Sequence, residues 1–336
     1  MAKTASRTLS HDDYMIAWIC GLPLEFAAAK TMLDELHNSL PQPPTDHNAY
    51  TLGRVSGHNV VIACLPFGVY GITSSATVLA NMLLTFSYLR FGLMVGIGGG
   101  VPSKHTDIRL GDVVVSMPSA TSGGVIQYDY GKTLLNGRFQ RTGSLNKPPA
   151  VLLMAVSQLQ SDSMMGKAPI GQIVEDVLQK YEGMRGQFAR PNQDLLFNSV
   201  YDHQSSNPDC STCDQIQLVN RAPRATNEPY IHYGLVASGN QVMKNAKTRD
   251  SLAQELDIFC FEMEAAGLMD QLPCLVIRGI CDYCDSHKNK QWQGYAALAA
   301  AAYAKVLLFV VPVPSYRLQL SMWFSFWGNV YPLIHI

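Results

Sequence analysis

The chain has 336 residues, 47% of them hydrophobic and 15% charged, and a formal net charge of -1. This composition supplies a large buried core and argues against disorder of the main body. Because no long Lys/Arg run is present, neither a nucleic-acid backbone nor an anionic membrane is expected as partner. The expected ligand is a small molecule.

The first residues, 1–13, are polar and lack the apolar segment and cleavage site of a secretory signal. The eight cysteines lie mostly in apolar runs, as Cys20, Cys64, Cys260 and Cys274 do. Such cysteines are typical of reduced, buried side chains rather than of a disulfide framework. We therefore predict a polar N-terminal tail and a cytoplasmic protein.

The apolar run 15–20 predicts a strand, and the helical spacing of apolar residues in 24–36 predicts a helix directly after it. Glu25 falls in the first turn of this helix, where exposed backbone amides favour an anion. Glu25 is therefore either a capping acid or an active-site carboxylate at the end of a strand.

Further along, residues 50–55 and 59–65 predict a hairpin. Helical patterns follow at 72–86, 149–159 and 170–181. These elements alternate in type, which is the arrangement of layered α/β folds.

A strand at 93–95 leads into a glycine cluster at 96–102, which includes Gly98 and Gly99. Glycines allow a backbone to approach a ligand closely. The cluster is not a dinucleotide fingerprint, because Pro102 and a polar run follow it where a helix is required, and no Gly-Lys-Ser/Thr closes it as in a Walker loop. We expect a ligand-contacting loop of another kind.

The segment 186–227 is polar and irregular, and it contains Cys210 and Cys213 in a Cys-x-x-Cys spacing with His203 nearby. A structural zinc site needs four ligands. The only other Cys-x-x-Cys brackets Asp282. We therefore interpret 186–227 as a surface insertion and predict no metal and no cofactor.

In the last third, the patterns predict a strand at 231–237, a helix at 247–256 and a helix at 292–309. The segment 314–336 is apolar, but polar residues and a proline interrupt any membrane span. A docking tail, an oligomer contact and a gene-model artefact all remain open for this tail. Between 14 and 313 we predict one α/β domain with a single main sheet.

Two strand-like runs of this domain, 258–262 and 275–282, end abruptly in carboxylates. Open α/β sheets place binding groups at the carboxyl ends of strands. Glu262 and Glu264 are two residues apart and so face the same side of an extended backbone, and Asp282 closes the second run. Because a buried carboxylate without a partner is costly, these acids predict a bound ligand, cation or proton.

Five stretches together resemble the nucleoside phosphorylase superfamily, above all its nucleosidase branch, typified by 5′-methylthioadenosine/S-adenosylhomocysteine nucleosidase, and fungal-type nucleoside phosphorylase-like domains. They are Cys20-Gly-Leu-Pro-Leu-Glu25, the glycine cluster with Leu110–Val115, Ala237–Asn240, Phe261–Ala265 and Arg278–Asp282. The resemblance implies a three-layer α/β/α fold with a central mixed, partly barrel-like sheet. It also implies cleavage of a bond between base and ribose.

By position, the resemblance implies that Met263 and Glu264 hold the ribose, with Glu264 accepting hydrogen bonds from its hydroxyls. Asp282 would assist the departing base at N7 and would then hold or share a proton near neutral pH. The alternative is a solvated loop aspartate. Glu262 belongs to the same motif and is predicted to lie in the substrate site.

Two departures of this sequence from the phosphorylase pattern predict the nucleophile. Phosphorylases of the superfamily have an arginine at the Glu25 position and a hydroxyl residue at the Ile97 position. An acid at position 25 would repel phosphate. Nucleosidases have a glutamate there, which activates water. The chain therefore resembles a hydrolase, although nucleosidases usually keep a serine where Ile97 stands.

For the base, the resemblance places Val242 and Met243 along a purine and Trp292 where an aromatic side chain closes the site. Phe188 and Phe197 of the insertion are further candidates for the pocket wall. The glutamine and arginine pair that recognises uracil has no counterpart, so a purine nucleoside is favoured.

The predicted function is thus hydrolysis of purine nucleosides by a homo-oligomer, with Glu25 and Asp282 as catalytic residues. Two alternatives stay open. One is a phosphate-dependent phosphorylase that recruits Arg278 or Arg109, and the other is a module that binds a nucleoside or nucleotide without turnover.

Overall fold

We describe the protein from a computed structural model, which covers residues 9–103, 105–167, 169–203 and 209–313. The apolar segment 314–336 and most of the predicted polar tail lie outside these residues. Within the tail, His11–Asp13 forms a short 3-10 helix. The His11 ring packs 5.2 Å from the ring of Phe86, centroid to centroid, so this part of the tail contacts the fold.

Strands and helices alternate along the described chain. The strands are β1 (Ile16–Cys20), β2 (Glu35–Leu36), β3 (Tyr50–Val55), β4 (His58–Cys64), β5 (Phe91–Gly100), β6 (Val113–Ser116), β7 (Val125–Gln127), β8 (Gly131–Thr133), β9 (Phe139–Arg141), β10 (Ile231–Ser238), β11 (Ile258–Glu262) and β12 (Cys274–Asp282). The α-helices are α1 (Pro23–Thr31), α2 (Ile72–Thr85), α3 (Ala150–Met164), α4 (Ile170–Lys180), α5 (Arg185–Phe188), α6 (Ala246–Leu256) and α7 (Gln293–Val310).

One mixed sheet of ten strands organises the fold, in the order β11-β10-β6-β12-β5-β1-β4-β3-β2, with β7 paired to β10. Strand β5 also pairs antiparallel with β11, through Cys260 with Gly100 and Phe261 with Gly99. Strands β5, β12, β6, β10 and β11 therefore close into a ring. The prediction of a mixed, partly barrel-like sheet is confirmed.

Buried side chains form a large apolar cluster on each face of the sheet. Helices α1, α3, α4 and α7 contribute to one cluster, for example through Ala28, Leu152 and Leu298. Helix α2 contributes Val78, Leu79 and Met82 to the other. Helices thus cover both faces, which confirms the predicted three-layer α/β/α architecture.

Helix α7 lies at the centre of one layer. It is the one described helix that is long and apolar enough to cross a membrane, but 72% of it is buried inside the fold. Its alanines allow close approach to the sheet, since a Cβ at Gly279 of β12 would overlap the backbone of Ala296. These contacts are those of a core helix.

Three predicted boundaries are wrong. The helix predicted over 149–159 continues to Met164. The helix predicted over 24–36 ends at Thr31, because Glu35–Leu36 pairs with β3 instead. The strand predicted over 93–95 continues to Gly100, because the glycine cluster pairs in parallel with β12. The cluster is therefore a strand at the centre of the sheet rather than a loop.

Candidate active site

A cavity of about 470 Å³ opens where β1, β5, β11 and β12 end. This volume lies in the range of small-molecule sites. Most of the residues predicted to bind substrate line it: Glu25, Gly98, Gly99, Val242, Met243, Glu262, Met263 and Glu264. The fold therefore brings side chains that are far apart in the sequence together around one cavity.

Glu25 both caps helix α1 and lines the cavity. Its Oε2 accepts hydrogen bonds from the backbone amides of Gly21 at 2.6 Å and Leu22 at 2.9 Å. Its Oε1 accepts one from the Ile97 amide of β5 at 2.8 Å. The two sequence interpretations of Glu25 are thus compatible, because one oxygen fixes the helix start and the other faces β5.

A fully buried arginine, Arg278 of β12, joins the carboxylates of the cavity. Its Nη2 donates to Glu262 and, at 3.3 Å, to Oε2 of Glu264. Glu262 also accepts hydrogen bonds from the backbone amides of Glu264 and Ala265. Glu262 is therefore a fixed partner of the guanidinium, while the side chain of Glu264 is partly exposed to the cavity.

The glycines of β5 leave the space that these side chains occupy. A Cβ at Gly96 would overlap Oε1 of Glu25 and lie 2.6 Å from Nη1 of Arg278. A Cβ at Gly99 would lie 2.8 Å from Oδ1 of Asp282. The cluster therefore serves close packing of charged side chains, in addition to any close approach of a ligand.

Burial sets the protonation of this site. It raises the pKa of Glu25 against the opposing effect of Arg278. It also raises the pKa of Glu264 to about 7, where Arg278 lowers the pKa and the charges of Glu262 and Glu25 raise it further. Because three carboxylates share one guanidinium, the cluster favours cationic over anionic partners.

Asp282, predicted as a catalytic residue, does not line this cavity, although its neighbours Cys281 and Cys284 do. It lines a second cavity of about 320 Å³, which shares Cys281 and Lys288 with the first. Its Oδ2 accepts a hydrogen bond from Nζ of Lys288 at 2.6 Å, and its Oδ1 accepts one from the Cys284 amide at 2.9 Å. The ammonium of Lys288 lines the cavity. The member of this ion pair that lines the cavity is therefore Lys288, while Asp282 holds its ammonium group.

Three predicted pocket residues lie elsewhere. The ring of Trp292 is buried in the core and its Nε1 donates to the carbonyl of Gln193. Phe188 packs in the same apolar cluster at the end of α5. Phe197 is buried in a separate small cluster with Cys210 and Cys213. Their apolar surface is satisfied by neighbouring helices and loops, and none of them lines the cavity.

Neither arginine considered for phosphate is available in the cavity. Arg278 is neutralised by Glu262 and Glu264. Arg109 forms an ion pair with Asp107 at 2.7 Å and donates to the carbonyl of Ala222. A phosphate dianion entering the cavity would therefore meet carboxylates without an unpaired guanidinium from either residue.

Sequence reasoning assigned no role in the site to Lys288 and treated Arg278 only as a phosphate ligand. Arg278 could have been assigned from its pattern, because it lies four residues before Asp282 on an otherwise apolar strand, and a buried charge requires a partner. Lys288 follows in an irregular loop, where no periodicity predicts its direction.

The family profile described as "Phosphorylase superfamily" matches residues 15–310. A nucleotide-binding leucine-rich repeat (NLR)-like protein of Hyaloscypha variabilis is 48% identical over 305 residues, which cover 90% of this chain and 30% of that protein. The chain thus spans about 30% of the length of this relative. A 5′-methylthioadenosine/S-adenosylhomocysteine nucleosidase of Mycobacterium bovis is 23% identical over 308 residues, 88% of this chain and 96% of the enzyme.

Solved structures with the same fold include futalosine hydrolase of Helicobacter pylori, with a TM-score of 0.54 at 15% identity over 89% of this chain and 99% of that chain. The nucleosidase of Neisseria meningitidis, solved with methylthio-immucillin-A, has a TM-score of 0.53 at 15% identity over 88% of this chain and 98% of that chain. At these identities the likeness shows a shared fold.

Proposed function

Because the chain belongs to the phosphorylase superfamily, we propose that it hydrolyses the N-glycosidic bond of a purine nucleoside and releases the purine base and ribose. One observation supports this most strongly: Glu25 and Glu264 open into one cavity in which the buried arginine is already paired with carboxylates. Such a site suits a neutral substrate whose sugar becomes cationic as the bond breaks.

Water is the proposed nucleophile and Glu25 its base. The carboxylate is held by backbone amides on two sides, so its orientation is fixed before substrate binds. Burial raises the pKa of Glu25, which brings it closer to the value at which a general base is effective near neutral pH. The proton of the attacking water passes to Glu25 as its oxygen bonds to C1′ of the ribose.

The ribose is held by Glu264 and Met263, both of which line the cavity. The Glu264 carboxylate accepts hydrogen bonds from ribose hydroxyls, and the Met263 side chain packs on the sugar. The surplus negative charge of Glu25, Glu262 and Glu264 stabilises the oxocarbenium character of the sugar in the transition state. That stabilisation is larger for the transition state than for the neutral nucleoside.

The base lies in the proposed complex along Val242 and Met243, with its N7 toward Lys288, the ion-pair partner of Asp282. A hydrogen bond or proton at N7 makes the purine a better leaving group. Lys288 lines the cavity and its Nζ lies 2.6 Å from Asp282, so the ion pair supplies the shared proton that this step requires. Asp282 then acts as the carboxylate that orients the Lys288 ammonium and favours its protonated form.

A second candidate is a module that binds a nucleoside without turnover. It is favoured by the relative of 48% identity, which is named an NLR-like protein and of which this chain spans 30%. Asp282→Asn separates the two candidates, since an enzyme keeps nucleoside binding and loses turnover. Absence of turnover of any purine nucleoside by the unaltered chain would favour the binding module.

The proposal includes a cytoplasmic location and a homo-oligomer. Phe67 and Tyr70 are exposed apolar residues, and Tyr70 lies at the mouth of the cavity. Exposed aromatic residues at a site entrance are suited to contact with a second chain. Light scattering of the purified protein measures the assembly, and a strictly monomeric protein with full activity contradicts this part of the proposal.

The activity is tested by incubating the purified chain with adenosine, inosine, guanosine and 5′-methylthioadenosine in phosphate-free buffer and in buffer with phosphate. Hydrolysis predicts release of the purine base at the same rate in both buffers. Strict dependence of base release on phosphate would refute the hydrolase and support a phosphorylase.

A further inference from the structure

The insertion 186–227 contains a cluster of thiol and imidazole groups that the proposed reaction does not use. The potential ligand atoms of His203, Cys210 and Cys213 all lie within 4.8 Å of one another. A tetrahedral zinc ion with bonds of about 2.0 to 2.3 Å separates its ligand atoms by roughly 3.3 to 3.8 Å. Small side-chain rotations therefore suffice to close these three groups around one ion.

His287 is the candidate for a fourth ligand, although it lies far away in the sequence, in the loop that follows β12. Its ring centroid lies 5.4 Å from that of His203, and Sγ of Cys210 lies 3.8 Å from its carbonyl oxygen. His287 is only 7% exposed, and its Nδ1 lies 3.8 Å from Oδ1 of Asp285. Among the described residues neither ring nitrogen has a hydrogen-bond partner. A buried polar group in this state is costly, and coordination of a metal removes that cost.

We propose that this cluster binds one zinc ion, with His203, Cys210, Cys213 and His287 as ligands. Two thiolates and two imidazoles are the ligand set of structural zinc sites, and thiolate ligands disfavour harder cations such as magnesium and calcium. The prediction of no metal from the sequence rested on the missing fourth ligand. The fold supplies it from the other side of the site.

The surroundings of the cluster fit a metal. Nε2 of His203 lies 2.9 Å from the carbonyl oxygen of Asp209, an outer contact that leaves Nδ1 for the ion. Zinc binds the thiolate form of cysteine, so binding would release the thiol protons of Cys210 and Cys213.

A site closed by four protein ligands has no open position for substrate, so its role is structural. In the part of the insertion that the structure describes, regular structure is limited to the end of α5, a 3-10 helix at Gln215–Gln217 and an isolated bridge between Phe197 and Leu218, beside a small buried cluster. Zinc would tie this segment to the loop that follows β12, which the backbone amide of His203 already contacts at Ser286. Lys288, the partner of Asp282, lies next to His287 in this loop.

The site is tested by measuring the metal content of the untagged chain by inductively coupled plasma mass spectrometry. The chain is purified without chelator. We expect one zinc per chain. His287→Gln should weaken zinc affinity by more than the roughly 10- to 100-fold that loss of an outer-shell partner costs, and Cys210→Ser should do the same. Cys64→Ser, which changes a cysteine outside the cluster, is the matched control and should keep full metal content.

A second measurement does not depend on the folding of the variants. Removal of zinc from the unaltered protein by a strong chelator should lower its melting temperature, and added zinc should restore it. Cobalt in place of zinc should give the visible bands of a tetrahedral thiolate site. Zinc-free protein at purification, full zinc in His287→Gln, or a Cys210–Cys213 disulfide in place of two thiols would each overturn the proposal.

Discussion

In the proposed reaction, water activation depends on Glu25. Glu25→Gln keeps the size of the side chain and an oxygen that can accept a hydrogen bond, but it removes the base. We expect turnover to fall by roughly 10²- to 10⁴-fold, the usual contribution of a general base. Binding of the purine product, measured by calorimetry, should change little, because Glu25 acts on the water.

An equal loss of product binding and turnover in Glu25→Gln would contradict this role. It would indicate that Glu25 holds the structure of the site through its hydrogen bonds to Gly21, Leu22 and Ile97. A melting curve of the same variant separates the two explanations, because loss of a helix cap costs about 1 kcal/mol and leaves the fold intact.

Glu264 predicts a pH dependence of stability. Burial raises its folded-state pKa from 4.5 to about 7. A raised carboxyl pKa contributes stability that is present below the unfolded value and is lost as the pH rises through the folded value. From pH 4.5 to about 7, the unaltered protein should therefore lose stability relative to Glu264→Gln.

The measurement is the melting temperature of both proteins across this range, without ligand. Glu182→Gln, at an exposed position, is the control and should follow the unaltered protein. A constant difference between Glu264→Gln and the unaltered protein at all pH values would contradict the proposed protonation of Glu264.

At the scale of elements, strand β5 is the part of the sheet that makes the charged cluster possible. Gly96→Ala would place a methyl group where Glu25 and Arg278 lie. We expect a loss of stability of about 1 to 3 kcal/mol, typical of overpacking, together with a marked loss of turnover. Denaturant unfolding and a base-release assay measure the two effects.

Gly186→Ala is the matched control, because a Cβ there meets nothing within 4 Å. This control should keep both stability and activity. Unchanged turnover in Gly96→Ala would show that the packing of Glu25 against Arg278 is not required for the reaction.

Most elements could be predicted from the sequence because their apolar spacing is regular. Strands β11 and β12 follow the predicted apolar runs closely, and their terminal carboxylates mark the site. The extent of β5 could not be predicted, since glycines are rare in strands and only pairing with β12 stabilises them there. The end of α1 could not be predicted either, because it depends on long-range pairing of β2 with β3.

Site residues could be predicted where a sequence motif fixes their position, and less well where the course of a loop determines it. Glu25, Met263 and Glu264 lie at strand or helix ends and line the cavity. Trp292 was assigned by analogy with an aromatic residue of the family and Phe188 from its position in the insertion, yet both rings fill the core. Lys288 and His287 lie in a loop whose course is set by tertiary contacts, so the sequence assigned neither a partner.

At the scale of the whole molecule, the family resemblance is confirmed by the profile that matches residues 15–310. The closed ring of five strands brings the ends of β1, β5, β11 and β12 to one cavity. The central claim is that this cavity uses water in place of phosphate. This claim rests on the combined charge of Glu25, Glu262, Glu264 and Arg278 rather than on one residue.

The most direct test is the reaction in water enriched in oxygen-18, with phosphate also present, followed by mass spectrometry of the sugar product. Hydrolysis predicts free ribose, or the 5′-substituted ribose of the substrate, with the heavy oxygen bonded to C1. Formation of a sugar 1-phosphate without incorporation of the heavy oxygen would contradict the account.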